Sequence, residues 1–201
     1  VLDVDLGFQP SRAAVITVAY DDGRDRERRG AILQEMLRNV ESIPGVEAAG
    51  VADMLPLGRN RSWGFRAKGK VYDKEETLGA LVRIVTPGYL GAMGMHLTGG
   101  RDFSWQDGPK SEMVVVINQA AARKFWRGED PVGRLGLIGD QEARVIGVID
   151  DVRAHSLEAP AGPEMYLMVM QASPNGAELV LRTKLPPPTL AATVMQRLRA
   201  L

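Results

Sequence analysis

Hydrophobic and polar positions follow two different periods in the first quarter of the chain. Residues 15–20 form an apolar run that predicts a buried strand, and the turn sequence DDG ends it. Over residues 24–42 the apolar positions recur three and four residues apart, which predicts an amphipathic helix with Asp25 as a suitable N-cap. Residues 46–54 predict a second strand. The chain therefore begins with a βαβ unit.

The rest of the chain carries shorter apolar runs separated by glycine, proline and charged residues. The runs predict strands at 63–71, 78–85, 113–117, 135–138, 143–149, 166–170 and 178–183, and helices at 89–93, 118–126 and after the prolines at 186–188. The strands at 135–138 and 143–149 are expected to pair as a hairpin around Gly139-Asp140.

This order of elements predicts an α+β protein. The opening βαβ unit and the final strand and helix resemble parts of one ferredoxin-like sandwich, βαβ…βα, which the strand-rich middle interrupts. We assign residues 1–56 and 172–201 to this discontinuous sandwich and residues 57–171 to an inserted mixed α/β part. The two crossings, Pro56–Gly58 and Ala172–Gly176, contain proline and glycine and are candidate hinges.

Composition and charge narrow the function classes. Hydrophobic residues make up 45% of the 201 residues, and 25 basic residues balance 25 acidic ones, so no net charge favours nucleic acid or an anionic membrane. The chain has no cysteine, which excludes disulfides, zinc–thiolate sites and thiol catalysis.

Its longest apolar runs, 113–117 and 166–170, fall far short of the roughly 20 residues that span a bilayer. The last residues, VMQRLRAL, stop within a helical pattern, so we expect a fragment of a longer protein.

Candidates for catalysis are few. His96 and His155 are the only histidines, and His155-Ser156 follows Asp150-Asp151 closely. Residues adjacent in sequence do not face one another on a strand or helix, and a catalytic triad depends on geometry. We therefore expect no enzyme and no catalytic residue.

Metal and cofactor sites are equally weak in the sequence. The carboxylate pairs Asp21-Asp22 and Asp150-Asp151 lack the spacing of a calcium loop. The sequence GRLGLIG at 133–139 lacks the lysine and the following helix of a phosphate-binding loop. We expect neither a metal nor a cofactor.

One segment combines basic and aromatic residues as single-strand nucleic-acid binders do. It is RNRSWGFRAKGK, residues 59–70. Its alternation predicts that Trp63 and Phe65 share a buried face with Ala67 and Val71, while the intervening cations face solvent. We therefore expect no nucleic-acid partner.

The segment VVVINQAAARKFWRGEDPVG, residues 114–133, has the strand-to-helix junction at which many enzymes place a phosphate or a nucleophile. Its residues have structural roles instead. Asn118 is a candidate helix cap, Phe125 and Trp126 are candidate core anchors, and Gly128 suits the left-handed position after a helix.

The order of several segments is similar to that of a known family. The sequence VINQAAARKFWRGEDPVGRL, preceded by TPGYLGAMGMHLTGGRDF and followed by VIGVIDDVRAHSLEAPAGPEMYL, resembles the periplasmic core domain of MacB-like ABC transporter permeases of the FtsX type. VLDVDLGFQP and PGVEAAGVADMLPL extend the similarity to nearly the whole chain.

The resemblance implies a porter-like subdomain and an inserted, sabre-like subdomain. Both lie outside the cytoplasmic membrane, between the first two of four transmembrane helices. The implied partners are an ABC nucleotide-binding domain, a second permease in a homodimer or heterodimer, and in many members a periplasmic adaptor and an outer-membrane channel. The implied function is to transmit ATP-driven movement for export or to partner proteins. No catalytic, cofactor-binding or metal-binding residue is implied in this chain.

Two alternatives stay open. An extracytoplasmic ligand- or lipoprotein-binding or sensor module predicts a large apolar cleft with convergent polar groups. A hydrolase predicts His96 or His155 in a pocket with an aligned carboxylate. For the isolated domain we expect a monomer or a weak dimer, because the family's dimer is held chiefly by its membrane and nucleotide-binding parts.

Overall fold

The computed structural model describes residues 6–58, 60–73, 75–153, 160–184 and 187–199. The helices are α1 (Arg26–Glu41), α2 (Tyr89–Met93), α3 (Gln119–Trp126) and α4 (Pro187–Arg199). The strands are β1 (Ala13–Thr17), β2 (Val46–Ala52), β3 (Ser62–Trp63), β4 (Phe65–Ala67), β5 (Ala80–Val85), β6 (Leu97–Gly100), β7 (Val114–Asn118), β8 (Leu135–Ile138), β9 (Gln141–Ile149), β10 (Glu164–Met168) and β11 (Glu178–Thr183).

The strands form a single mixed sheet with the order β1-β11-β2-β5-β10-β7-β9-β8-β4. In addition, β3 pairs with β5 and β6 pairs with β9. At one end, β11 lies between β1 and β2 and is antiparallel to both. This is the arrangement of a split βαβ unit, and it agrees with the predicted α+β fold. The predicted β8–β9 hairpin is also confirmed.

The two halves of the sheet meet where β2 contacts β5. Ladder pairing between these strands is limited to one residue pair, Ala52 with Val85. Beside this pair, the backbone N–H of Asp53 donates to the carbonyl of Ile84 at 3.0 Å. The sheet is therefore continuous through both predicted parts, and the division at 56/57 and 171/172 stays a prediction.

The porter-like strands are packed by helices from both parts of the chain. Asp25 caps α1, as predicted, by accepting hydrogen bonds from the backbone N–H groups of Glu27 (2.8 Å) and Arg28 (3.1 Å). Helix α1 packs against β2 and α4, and helix α2 packs against β2 and β11. Because α2 lies between residues 57 and 171, the predicted inserted part contributes directly to the packing of the porter-like strands.

Aromatic side chains form the core beside α3. The rings of Phe65 and Phe125 meet edge to face with centroids 5.2 Å apart, and Trp126 lies 6.0 Å from Phe65. All three side chains are buried. The predicted role of Phe125 and Trp126 as core anchors is confirmed.

The predicted continuous strand over residues 63–71 is wrong. The glycine after Trp63 divides it into β3 and β4, which pair with different strands, β5 and β8. Trp63 is 37% exposed and Val71 is 88% exposed, so Phe65 and Ala67 alone represent the expected apolar positions in the core. The alternation of apolar and basic residues did not predict the break, because a glycine within a strand lets the chain bend away from the sheet.

Candidate functional site

The histidines do not form an enclosed acid–base site in the part of the chain that the structure describes. The side chain of His96 is 76% exposed, and its Nδ1 lies 3.2 Å from Oδ2 of Asp150. The other oxygen of Asp150 accepts a hydrogen bond from Gln119 at 3.2 Å. His155 and Ser156 lie outside the described residues.

The carboxylate pairs bind neighbouring backbone and cations. Asp151 accepts from the N–H of Ala120 at the start of α3 and pairs with Arg123 (2.5 Å). Asp21 accepts from the N–H of Gly23 in the predicted turn, at 2.9 Å. Among the described residues, no group of three or more histidine, aspartate and glutamate side chains is arranged to hold a metal ion.

Asn118 is a helix cap that also fixes a strand. Its Oδ1 accepts from the N–H of Ala121 at 3.0 Å, which confirms the predicted cap of α3. The same oxygen accepts from the N–H of Glu164 at 2.9 Å, and Nδ2 donates to the carbonyl of Gly162 at 2.8 Å. This buried amide therefore ties α3 to the start of β10.

A buried polar cluster lies where the chain first passes between the two predicted parts. We call Asp53, Arg61, Arg83 and Glu164 the junction cluster. Strands β2 and β3 both pair antiparallel with β5 along one edge, because β10 occupies the other edge. The chain leaves this edge after β2 and returns to it with β3. Nη2 of Arg61 lies 2.5 Å from Oδ2 of Asp53, so an ion pair joins the two ends of the excursion.

Asp53 contacts both crossings of the chain. Its Oδ1 accepts from the backbone N–H of Ile84 at 2.9 Å, and its Oδ2 pairs with Arg61, which lies just beyond the first crossing. The N–H of Asn175, in the second crossing, lies 3.5 Å from Oδ2. The side chain of Asp53 is fully buried. One carboxylate thus lies at the point where both connections meet.

The second half of the junction cluster lies between β5 and β10. Arg83 and Glu164 pair across these parallel strands, and both side chains are 1% exposed. Arg83 also donates to Oδ1 of Asn60 at 3.1 Å and to the carbonyl of Met54 at 3.4 Å. A buried charge is tolerated only when it is paired and hydrogen-bonded, and this pair meets both conditions.

Two buried tyrosines surround the Arg83–Glu164 pair. Burial, followed by the negative charge of Glu164, raises the pKa of Tyr166 well above its ordinary value. Burial also raises the pKa of Tyr89, although the positive charge of Arg83 opposes the shift. Both phenols stay neutral at physiological pH, so the cluster carries two cations and two carboxylates with no further charge from these rings.

A second buried arginine holds the other crossing. Arg29 of α1 donates to the carbonyls of Val169 and Ala172, each at 3.1 Å. Its Nε lies 2.5 Å from Oδ2 of Asp22. Ala172 opens the second predicted hinge, so this guanidinium joins helix α1, the β1–α1 turn and the end of the inserted part.

Sequence patterns did not identify the junction cluster. Arg83 and Glu164 are 81 positions apart in the chain, and pairing between β5 and β10 alone brings them together. The only signal was a single charge in an otherwise apolar strand, ALVRIV, and a second at the head of EMYLM. Such a charge needs a buried partner, which a single sequence does not name.

Two clefts open beside the porter-like strands. A cleft of about 650 Å³ is lined by Tyr20, Asp22, Arg29 and residues 173–177, next to the second crossing. A groove of about 550 Å³ lies between β1, α1 and α4, and Ile16, Ile32, Met36 and Leu198 supply much of its apolar lining.

Family membership follows from the sequence match. The profile of the family described as MacB-like periplasmic core domain matches residues 4–201. The chain belongs to this family. The resemblance seen in the segment order is therefore confirmed, and the chain is an extracytoplasmic domain of a MacB/FtsX-like ABC transporter permease. Permeases of this kind work with ATPase components. Among curated proteins, none matches the sequence.

Solved structures of MacB-like domains have the same fold. The periplasmic region of MacB from Actinobacillus actinomycetemcomitans superposes with a TM-score of 0.62 at 16% identity, covering 96% of this chain and 85% of that chain. The extracellular domain of the transporter YknZ from Gram-positive bacteria gives 0.56 at 17% identity, covering 92% and 91%. A domain of a permease protein from Porphyromonas gingivalis gives 0.50 at 19% identity, covering 83% and 68%.

The described helices of this MacB-like domain do not include a membrane span. The longest of them, α1, has 16 residues, and none combines the length and the apolar character that crossing a bilayer takes.

Proposed function

We propose that this MacB-like domain transmits movement from the membrane part of its permease to the far end of the inserted part. The movement originates in ATP binding at the nucleotide-binding partner, and it serves export or the action of a partner protein. One observation carries the proposal: a single sheet runs from β1 to β4 through both predicted parts. A displacement applied to one end of a rigid, hydrogen-bonded sheet reaches the other end.

The proposed role is mechanical and not enzymatic. The side chains of His96 and Asp150 are 76% and 45% exposed, so this pair lies on the open surface of the domain. The buried charges of the junction cluster are bound to one another and to backbone groups. Their arrangement suits a structural connection.

The test uses the full-length permease with its ATPase partner in lipid nanodiscs. Gln141 lies at the exposed tip of the β8–β9 hairpin, and this domain contributes no cysteine of its own. A spin label at Gln141→Cys therefore reports the separation of the two tips in the permease dimer. We expect ATP to shift this distance, and we expect no shift with a partner that does not bind ATP.

An ATP-independent distance, in a permease whose partner hydrolyses ATP normally, would overturn the proposal. A label at Ala31→Cys on α1 is the matched control, because it follows the porter-like end directly. Movement at Ala31 without movement at Gln141 would show that the membrane part moves while the inserted part does not.

The groove between β1, α1 and α4 favours a second candidate, a ligand- or lipoprotein-binding or sensor module. Its volume of about 550 Å³ is in the range of small-molecule sites, and apolar side chains line much of it. This candidate predicts saturable binding of the apolar dye N-phenyl-1-naphthylamine, which Ile32→Asp should weaken. Binding that is absent, or unchanged by Ile32→Asp, would remove it.

A further inference from the structure

Each of the two crossings is held by one buried or nearly buried arginine. Arg61 pairs with Asp53 at the first crossing, and Arg29 donates to Val169 and Ala172 at the second. The two guanidinium groups come from different parts of the chain, Arg61 from the inserted part and Arg29 from the porter-like part. Each one reaches across the predicted boundary at 56/57 or 171/172.

We propose that Arg61 and Arg29 are a pair of clamps that hold the porter-like part and the inserted part as one rigid body. The predicted hinges at Pro56–Gly58 and Ala172–Gly176 are then closed by these contacts. The inference rests on the proposed transmission of movement, because rigid coupling is what carries a displacement from one part to the other.

The geometry of Arg61 fixes its position from two sides. Its guanidinium lies 2.5 Å from Asp53 and 5.2 Å from the centroid of the Trp63 ring. The indole face and the carboxylate both attract the cation by charge, although no nitrogen of the guanidinium meets hydrogen-bond geometry with a described residue. Because Asp53 also accepts from the N–H of Ile84, this clamp connects the ends of β2 and β3 to β5.

The geometry of Arg29 is equally constrained. The residue is 5% exposed, its Nε donates to Asp22, and its Nη1 donates to both carbonyls. Both carbonyls belong to the turn that follows β10. The next residue of α1, Gly30, adds to the fixation, because a side chain there would meet Met170 at 2.6 Å. Helix α1 is therefore in close contact with the second crossing.

The backbone hydrogen bonds of the sheet do not by themselves hold the porter-like part and the inserted part as one rigid body. Between β2 and β5 the ladder is limited to the pair Ala52–Val85, flanked by backbone hydrogen bonds from Asp53 to Ile84 and from Thr86 to Val51, so the seam between the two halves of the sheet is short. Separating Arg61 from Asp53 would leave a buried charge without its partner, so this ion pair opposes movement of the two parts relative to each other.

The experiment measures the angle between the two parts in the isolated chain. Labels at Ala31→Cys on α1 and Gln141→Cys at the β8–β9 tip give one distance distribution by pulsed electron resonance. We expect a narrow distribution in the parent chain. In Arg61→Met and in Arg29→Met we expect the distribution to widen roughly twofold, and to widen further in the double variant.

Matched controls separate a clamp from a general loss of charge. Arg66→Met removes a half-buried cation from β4, close to the first clamp in sequence, and Arg38→Met removes an exposed cation from α1. Both should leave the width unchanged. Asp53→Asn offers a second route to the first clamp, since the amide oxygen still accepts from Ile84 while the charge that holds Arg61 is lost.

Unchanged narrow distributions in Arg61→Met, Arg29→Met and Asp53→Asn, with folding verified by circular dichroism, would overturn the clamps. The proposed function would survive that result, because it is tested separately by the ATP-dependent distance in the full permease. Conversely, wide distributions in the clamp variants of the isolated chain would stand even if ATP moved nothing in the full assembly.

Discussion

Burial determines what each charged residue of this domain contributes. Arg83 and Glu164 are both enclosed between β5 and β10, whereas Arg66 and Asp140 face solvent with 3.9 Å between their charged atoms. Removing one member of a buried pair leaves an uncompensated charge, while a solvated pair is screened by water and salt. The two pairs provide a matched comparison within one molecule.

We expect Arg83→Met to lower the free energy of unfolding by about 3–5 kcal/mol, because Glu164 loses its buried partner. The double variant Arg83→Met/Glu164→Met should lose distinctly less than the sum of the single variants, since neither charge remains. Arg66→Met should change the free energy by about 0.5 kcal/mol or less. Urea unfolding at neutral pH measures all four values, and additive losses in the double variant would refute the coupling.

Asp107 gives the domain a defined response to acid. Burial alone would raise the pKa of this carboxyl, but hydrogen bonds from Arg101 and Ser104 outweigh burial and leave the pKa below its ordinary value. Both Arg101 contacts are 2.8 Å long. A carboxyl with a lowered pKa in the folded state stabilises the fold above its unfolded pKa, and this contribution is lost as the pH falls through the folded pKa.

The stability advantage of the parent chain over Asp107→Asn should therefore be complete at pH 6 and should be lost progressively below about pH 4, as the pH falls through the lowered pKa of the folded state. Urea midpoints at a series of pH values measure the difference. Arg101→Gln is the companion variant, because it removes the main donor and should weaken the same pH dependence. An advantage that is constant down to pH 2 would contradict the role of this ion pair.

Among the elements, helix α2 shows how one glycine sets the distance between a helix and a strand. A Cβ atom on Gly50 of β2 would lie 2.3 Å from Cα of Tyr89, which is backbone that has no room to withdraw. A Cβ atom on Gly91, inside the same helix, would meet no such neighbour within 4 Å. The first glycine permits close packing, and the second has no such role.

We expect Gly50→Ala to destabilise the domain by about 3 kcal/mol, at the upper end of overpacking effects, because α2 must move away from β2. Gly91→Ala should instead be neutral or should stabilise by about 0.5–1 kcal/mol, since alanine loses less backbone freedom in a helix. Denaturant unfolding of the two variants measures the contrast. Equal effects would show that the contact between α2 and β2 does not limit packing.

Helices and strands of this domain could be predicted from sequence where a clear period of hydrophobic residues was bounded by a capping or turn residue. Helix α1 begins after its predicted cap, and α2 spans the predicted residues 89–93. The strand predicted at 166–170 instead spans Glu164–Met168. A charged residue is not expected at the start of a buried strand, and Glu164 is tolerated there because it pairs with Arg83. Trp63 and Val71 were misplaced because a regular alternation continued across a glycine.

At the scale of the whole molecule, the order of strands in the sheet could not be predicted from hydrophobic periodicity and turn signals. Strand β10 lies between β5 and β7, which precede it by many residues, and β11 returns to separate β1 from β2. Such pairings depend on contacts between distant segments, and each strand's own sequence is compatible with several neighbours. The junction cluster follows from this order, and for that reason it too was missed.

The continuous sheet and the buried junction cluster lead us to expect that the domain unfolds in one cooperative transition. The chain offers two separate probes for this, because all three tryptophans, Trp63, Trp105 and Trp126, lie in the inserted part. The longest helices, α1 with 16 residues and α4 with 13, belong to the porter-like part and dominate the far-ultraviolet circular dichroism. Coincident midpoints are the mark of a single cooperative unit. Under increasing urea, tryptophan fluorescence and circular dichroism should give the same midpoint in the parent chain, whereas a lower midpoint for either probe would mean that the two parts are stable independently of each other.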